Sequence, residues 1–109
     1  MSRPAVVVIE SPFAGDVDRN IAYGLRCVRW SLDHGEAPSA GHLLYTRVYD
    51  DADPAQREAG IRAHLAHIPR AESVIVYVDY GISPGMDRGI ALAMACGVPI
   101  IRRSIGRNP

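Results

Sequence analysis

Apolar positions along the chain fall into short continuous runs that alternate with longer segments of helical spacing. Ala5-Val-Val-Val-Ile9 is unbroken and β-branched, which is how a parallel strand covered on both faces reads. Ser73 to Val78 repeats that character, and Val98-Pro-Ile-Ile101 is a shorter last strand. A more polar strand is expected within residues 36–41. Ile21, Leu25, Val28 and Leu32 fall at i, i+4, i+7 and i+11; they predict a helix over 18–34 with those four as its buried face. Asp16 and Asp18 place negative charge near its start, and Gly35 stops it. The stretch 46–53 reads as polar loop. Asp53-Pro-Ala-Gln56 then predicts a helix start, with Asp53 as cap, Pro54 in the first position and Gln56 completing a capping box. Ile61, Leu65 and Ile68 would be its buried face, and Pro69 and Arg70 its end. A third helix is expected from Pro84 to Cys96, capped by Ser83 and stopped by Gly97, and the tail 104–109 is expected to fray.

This order predicts a single α/β domain over 1–109: a small three-layer, Rossmann-like parallel sheet of about four strands with helices on both faces. The two most apolar strands should be central neighbours and the 36–41 strand an edge, giving the order 2-1-3-4. Ligands in such sheets bind where the winding direction reverses, beyond the carboxyl ends of the strands. Here that is the crevice between the first and third strands, where the loops Glu10–Asp16 and Asp79–Met86 converge. Each loop leads into a helix N-terminus and carries small residues (Ser11, Ala14 and Gly15; Gly81, Ser83 and Gly85) that admit an anion close to the backbone. Turn-making and capping alone would explain the same residues.

Composition narrows the chemistry. The 109 residues include 12 basic and 12 acidic side chains, a formal net charge of zero. That balance disfavours a binder of nucleic-acid polymers or of membrane surfaces. All the basic residues are Arg, so no Lys can form a Schiff base or serve a phosphate loop. Neither G-x-G-x-x-G nor G-x-x-x-x-G-K-[ST] occurs; a dinucleotide is disfavoured and no cofactor is expected. Cys27 and Cys96 read as small buried hydrophobes of a reducing, cytoplasmic protein. No apolar run spans a bilayer and no secretory signal is visible at the amino terminus. His64 and His67 lie three apart on the second helix with no Asp, Glu or Cys to join them, which reads as a partly solvated surface rather than a metal site. His34 suits a helix C-terminus. Phe13, Trp30, Tyr77 and Tyr80 are candidates for subunit contacts or base stacking, Trp30 bordering the core.

Ser11-Pro-Phe-Ala-Gly-Asp16, Arg19-Asn20, His42 and Ile82-Ser-x-Gly-Met86 together resemble a branch of bacterial and phage domains related to nucleoside 2-deoxyribosyltransferases, a group that includes deoxynucleoside monophosphate N-glycosidases. The likeness covers about residues 5–103. It implies a nucleoside or nucleoside monophosphate ligand, with Ser11, Pro12, Phe13 and Gly15 touching sugar, base or phosphate. It also implies Ser83, Gly85 and Met86 at the phosphate or sugar, His42 at the rim, and a homo-oligomer in which a neighbouring subunit completes the site. The chemistry of active members uses a Glu four residues after the Gly of the Ser-x-Gly segment. That position is Gly89 here, and His64 approximately replaces an acidic residue of the preceding helix. Asp87 and Glu10 are the carboxylates that could substitute. Asp87 lies two residues, about 200° of helical rotation, from position 89 and also reads as a dipole-stabilising acid. Asp79, ending the third strand, is a further candidate ligand contact. The expected function is nucleotide or nucleoside binding with cleavage or transfer at the N-glycosidic bond, the alternative being a catalytically silent sensor or structural oligomer.

Overall fold

The computed structural model describes residues 3–107. Strands β1 (Ala5–Glu10), β2 (Glu36–Ser39), β3 (Ser73–Tyr77) and β4 (Ile100–Arg103) form one sheet of order β2-β1-β3-β4. Every neighbouring pair is parallel, with Val8 level with Ser39 on one side and Val74 on the other. Side-chain alternation divides the core into two layers. Val7, Ile9, Ile75 and Tyr77 face α1 (Val17–Asp33) and pack on its Tyr23 and Cys27. Val8, Val74 and Val76 face the other way, onto Ile68 and onto Met86 and Ala93 of α4 (Pro84–Cys96). Helices thus cover both faces, as the alternation of elements requires. Among the described residues no helix is long and apolar enough to cross a membrane.

The buried face of α1 differs from the expected one. Asn20, Tyr23, Gly24, Cys27 and Ser31 point inward, while Leu25 and Leu32 are 53% and 58% exposed. Polar anchors fix this rotation. Asn20 Nδ2 donates to the carbonyls of Phe13 and Ala14, and the Tyr23 hydroxyl donates to Asp79 at 2.6 Å. Gly24 admits Leu43, whose Cδ2 would lie 2.8 Å from a Cβ at that position. Of the expected face, Leu25 and Leu32 are left on the surface, whereas Val28 is half-buried against the core.

Other boundaries shift for local reasons. The 36–41 segment pairs only to Ser39 and then turns into α2 (Gly41–Leu44), a helix that the apolar pattern does not predict, continued by a 3-10 turn at Tyr45–Arg47. α3 (Pro54–Leu65) starts as expected, its Asp53 cap accepting from Ala55 N–H. Gln56, however, accepts from Asp50 N–H and donates to the Asp53 carboxylate, bracing the preceding loop rather than closing a capping box. The helix stops at Leu65, short of Pro69, and a 3-10 turn at Ile68–Arg70 buries Ile68. β3 ends at Tyr77. β4 lies two residues later than expected because Gly97 closes α4 in the left-handed conformation and Val98 N–H is spent on Ala93 C=O at 2.9 Å.

Cys27 is buried, which pushes its thiol up to about 12, whereas Cys96 is exposed, contrary to its reading as a core residue. Tyr77 is fully buried and donates to Cys27 C=O, so it is available neither to a partner subunit nor to a base. His34 stacks on Trp30, over whose other side Arg103 lies at 4.2 Å. The tail is not frayed through 107. Asp79 accepts from Ile105 N–H, Gly106 N–H and the Ser104 hydroxyl, and Arg26 holds the carbonyls of 105–107; residues 108 and 109 lie outside the described residues.

Candidate functional site

The loop after β1 and the start of α4 meet at the carboxyl end of the two central strands, on the face away from α1. Between them lies a cavity of about 230 Å³ that opens to solvent. A cavity of roughly 150 Å³ accommodates benzene, so a furanose ring fits with room beyond it. Its walls are Glu10, Ser11, Phe13 and Ala14 on one side, and Ser83, Pro84, Gly85 and Met86 on the other. α2, the 3-10 turn and α3 close the far side through Gly41, His42, Tyr45, Thr46, Arg57, Gly60 and His64, and Tyr49 and Asp51 of the following loop also line it.

Glu10 is the most deeply set charge-bearing group. It is the last residue of β1 and only 3% exposed. Its Oε2 accepts from His64 Nε2 at 2.6 Å, and His64 Nδ1 accepts from Gly41 N–H at 3.2 Å. His64 is therefore a buried, fully engaged residue rather than a solvated one. The Glu10 carboxyl group lies over Gly89 of α4: a Cβ built on Gly89 would stand 2.5 Å from Glu10 Cδ. Glycine at 89 leaves the space that the end of the Glu10 side chain fills, and its backbone is helical. Gly89→Ala is accordingly expected to cost about 2–3 kcal/mol by overpacking, measured by urea denaturation. In the background of Glu10→Ala the same change should cost less than about 1 kcal/mol, because the overlap is gone. Equal costs in both backgrounds would contradict the contact.

Beside this pair, Ser11 Oγ and His42 Nε2 are 2.7 Å apart, and the His42 ring stands edge-on to His64 at 5.6 Å. Burial, reinforced by the neighbouring His64, lowers the His42 pKa to about 3. His42 is thus neutral across the physiological range. A base whose conjugate acid is that strong activates a hydroxyl poorly, so the Ser11–His42 pair suits hydrogen bonding to a ligand better than nucleophilic attack by serine. At the opposite wall Ser83 caps α4, accepting from Met86 N–H at 3.3 Å. Gly85 N–H, in the first turn, has no intrahelical acceptor and adjoins the cavity with the positive end of the helix dipole. Arg57 adds a guanidinium on the α3 side.

The structure brings Glu10, Ser11, Phe13, His42, Ser83, Gly85 and Met86 to one cavity. Pro12, Gly15, Asp79 and Asp87 do not line it. Pro12 is buried. Gly15, at φ +100, turns the chain into α1, whose N-terminus is occupied by the Asp16 carboxylate; only one of the two expected helix N-termini faces the crevice. Asp87 is exposed on α4, as its rotation from position 89 predicts. Asp79 faces the α1 side. Burial there opposes ionisation, but donors from Ile105, Ser104, Tyr23 and Gly106 outweigh it and hold the carboxyl well below the usual range. Tyr80 packs with Tyr23 on that side, beneath Arg19. Among the described residues no group of three or more His, Cys, Asp or Glu is placed to hold a metal ion.

The same architecture occurs in the structure of the 2-deoxyribosyltransferase from the psychrotolerant bacterium Bacillus psychrosaccharolyticus. The TM-score is 0.68 at 15% sequence identity, over 96% of this chain and 76% of that one. The likeness shows that the two chains share an α/β fold. The chain itself belongs to the family described as a domain of unknown function, DUF7768, whose profile matches residues 5–103. No curated protein matches it.

Proposed function

We propose that the cavity binds a nucleoside or nucleoside monophosphate and that Glu10 acts at its N-glycosidic bond. The observation that carries this reading is a buried carboxyl group on the wall of a sugar-sized cavity that is also lined by a helix N-terminus suited to an anion. In the resemblance drawn from the sequence, the reacting carboxylate belongs at position 89. Here that place is glycine, and β1 delivers the Glu10 carboxyl group to the space directly above it. The likeness of the fold to a 2-deoxyribosyltransferase supports the same assignment.

In the proposed reaction an Oε1 lone pair of Glu10 forms a bond to the anomeric carbon as the carbon–nitrogen bond breaks. The bonding electrons leave with the base, which takes up a proton from water. Water or a second base then displaces the carboxylate, giving hydrolysis or transfer. Ser11 and His42 would hold sugar hydroxyls, Phe13 would flank the base, and Ser83, Gly85, Met86 and Arg57 would meet a 5′-phosphate. A panel of nucleosides and 5′-monophosphates, assayed together for free base and for thermal shift, tests this. Base release supports the enzymatic reading. Thermal shift without release supports a binding module, the reading favoured by the absence of a Glu at Gly89. No response to any member contradicts both.

A homo-oligomer in the cytoplasm completes the proposal. The two cysteines are free, which suits a reducing compartment. The exposed Leu25 and Leu32 on α1 supply a self-association surface. Leu25→Asp with Leu32→Asp is expected to give a monomer in sedimentation velocity, with a melting temperature changed little. A wild-type monomer at high micromolar concentration, or an associating double variant, would contradict it.

A further inference from the structure

We propose that His64 is a positioning residue whose tautomer, set by the Gly41 backbone, determines which oxygen of Glu10 faces the ligand. Gly41 N–H points at Nδ1, so Nδ1 presents its lone pair and the neutral ring carries its proton on Nε2. Nε2 then donates to Oε2 of Glu10 at 2.6 Å. Oε1 has no protein donor among the described residues, and Glu10 lines the cavity. One oxygen is held and the other is left for the ligand. Without a donor on Oε2 the carboxyl group would rotate about its last bond between equivalent orientations.

Gly41 is the residue that makes this possible. A Cβ at position 41 would lie 2.8 Å from His64 Cβ and 3.0 Å from its Nδ1, so any larger residue drives the amide away from the ring. The edge-on His42 ring packs against His64 from the other side. Both ring nitrogens of His64 are engaged, Nδ1 by Gly41 N–H and Nε2 by Glu10 Oε2, and it cannot give Glu10 its proton without reversing the Gly41 bond. Its role is orientation, comparable to outer-shell groups that fix a histidine or carboxylate at a metal.

The kinetic part of this inference rests on the N-glycosidic reading; the tautomer does not. Long-range proton–nitrogen correlation spectra of the ¹⁵N-histidine-labelled protein are expected to show His64 with Nδ1 unprotonated and Nε2 protonated. The opposite tautomer, or a mixture, overturns the proposal whether or not any nucleoside is turned over. With a turned-over substrate, His64→Phe is expected to lower kcat about 10- to 100-fold with KM changed less than about threefold. His64→Gln, whose side-chain amide can donate to Oε2, should recover most of that loss. A KM-only effect, or a Gln variant no better than Phe, overturns it. Absence of turnover in the wild type would contradict the N-glycosidic reading alone, and the spectra would still decide the tautomer.

Discussion

Glu10→Gln is expected to reduce release of free base by about 10³-fold or more, the scale at which removal of a covalent nucleophile is felt. The exchange removes one negative charge and almost no volume. The amide oxygen can take the place of Oε2 and accept from His64 Nε2, so the space over Gly89 stays filled and no cavity opens. Ligand-induced thermal shift should therefore persist while turnover is lost. Single-turnover base release followed by chromatography separates the two. A variant with wild-type turnover would remove Glu10 from the chemistry. Loss of both turnover and thermal shift would make it a binding group.

Asp79→Ala is expected to destabilise the fold by about 3 kcal/mol or more. Four donors converge on this carboxylate: the Tyr23 hydroxyl, the Ser104 hydroxyl and the backbone N–H groups of Ile105 and Gly106. Hydrogen bonds to a charged group are worth more than neutral ones, and a buried partner left unpaired adds a desolvation cost. Tyr23 is that partner, at 2% exposure. Without Asp79 the segment 104–107 loses its main attachment beside α1. The same contacts depress the folded-state pKa relative to the unfolded chain. Their contribution is therefore complete above the ordinary Asp value, near pH 4, and is lost as the pH falls further. Urea midpoints of wild type and Asp79→Asn measured from pH 6 downward should converge below about pH 4. A constant difference down to pH 2 would contradict this origin.

The sheet was legible because its cause is local. Runs such as Ala5–Ile9 and Ser73–Val78 have no soluble alternative to burial on both faces. Strict alternation with helices then leaves few topologies. The starts of α3 and α4 were legible from Asp53-Pro54 and Ser83-Pro84, since caps and N1 prolines act within one turn. α2 was not. It has four residues, no side-chain cap hydrogen bond and no apolar period; it is helical because Gly24 and Gly41 allow it to lie against α1 and α3. The rotation of α1 was misread because polar anchors at Asn20 and Tyr23 outweigh the Ile21–Leu32 stripe, and the partners of those anchors are distant in sequence.

The candidate site shows the same division. Its two loops follow from strand order, and Ser83 and Gly85 from the helix start. The central Glu10–His64 contact spans 54 residues in sequence, and nothing near His64 distinguishes it from the exposed His67 three positions on. One signal was present. Gly89 in the middle of an otherwise helix-favouring segment has no backbone reason to be glycine. Its reason is the Glu10 side chain, and the pairing could have been suspected from the two odd residues together.

Chemical-shift mapping of the ¹⁵N-labelled protein with a nucleoside 5′-monophosphate tests most directly whether the pocket beside Glu10 receives the ligand. Amide shifts confined to residues 10–14, 41–46 and 83–86 are the predicted result. Shifts clustered instead around Asp79, Tyr80 and 104–107, or none at saturating concentration for every base, would contradict it.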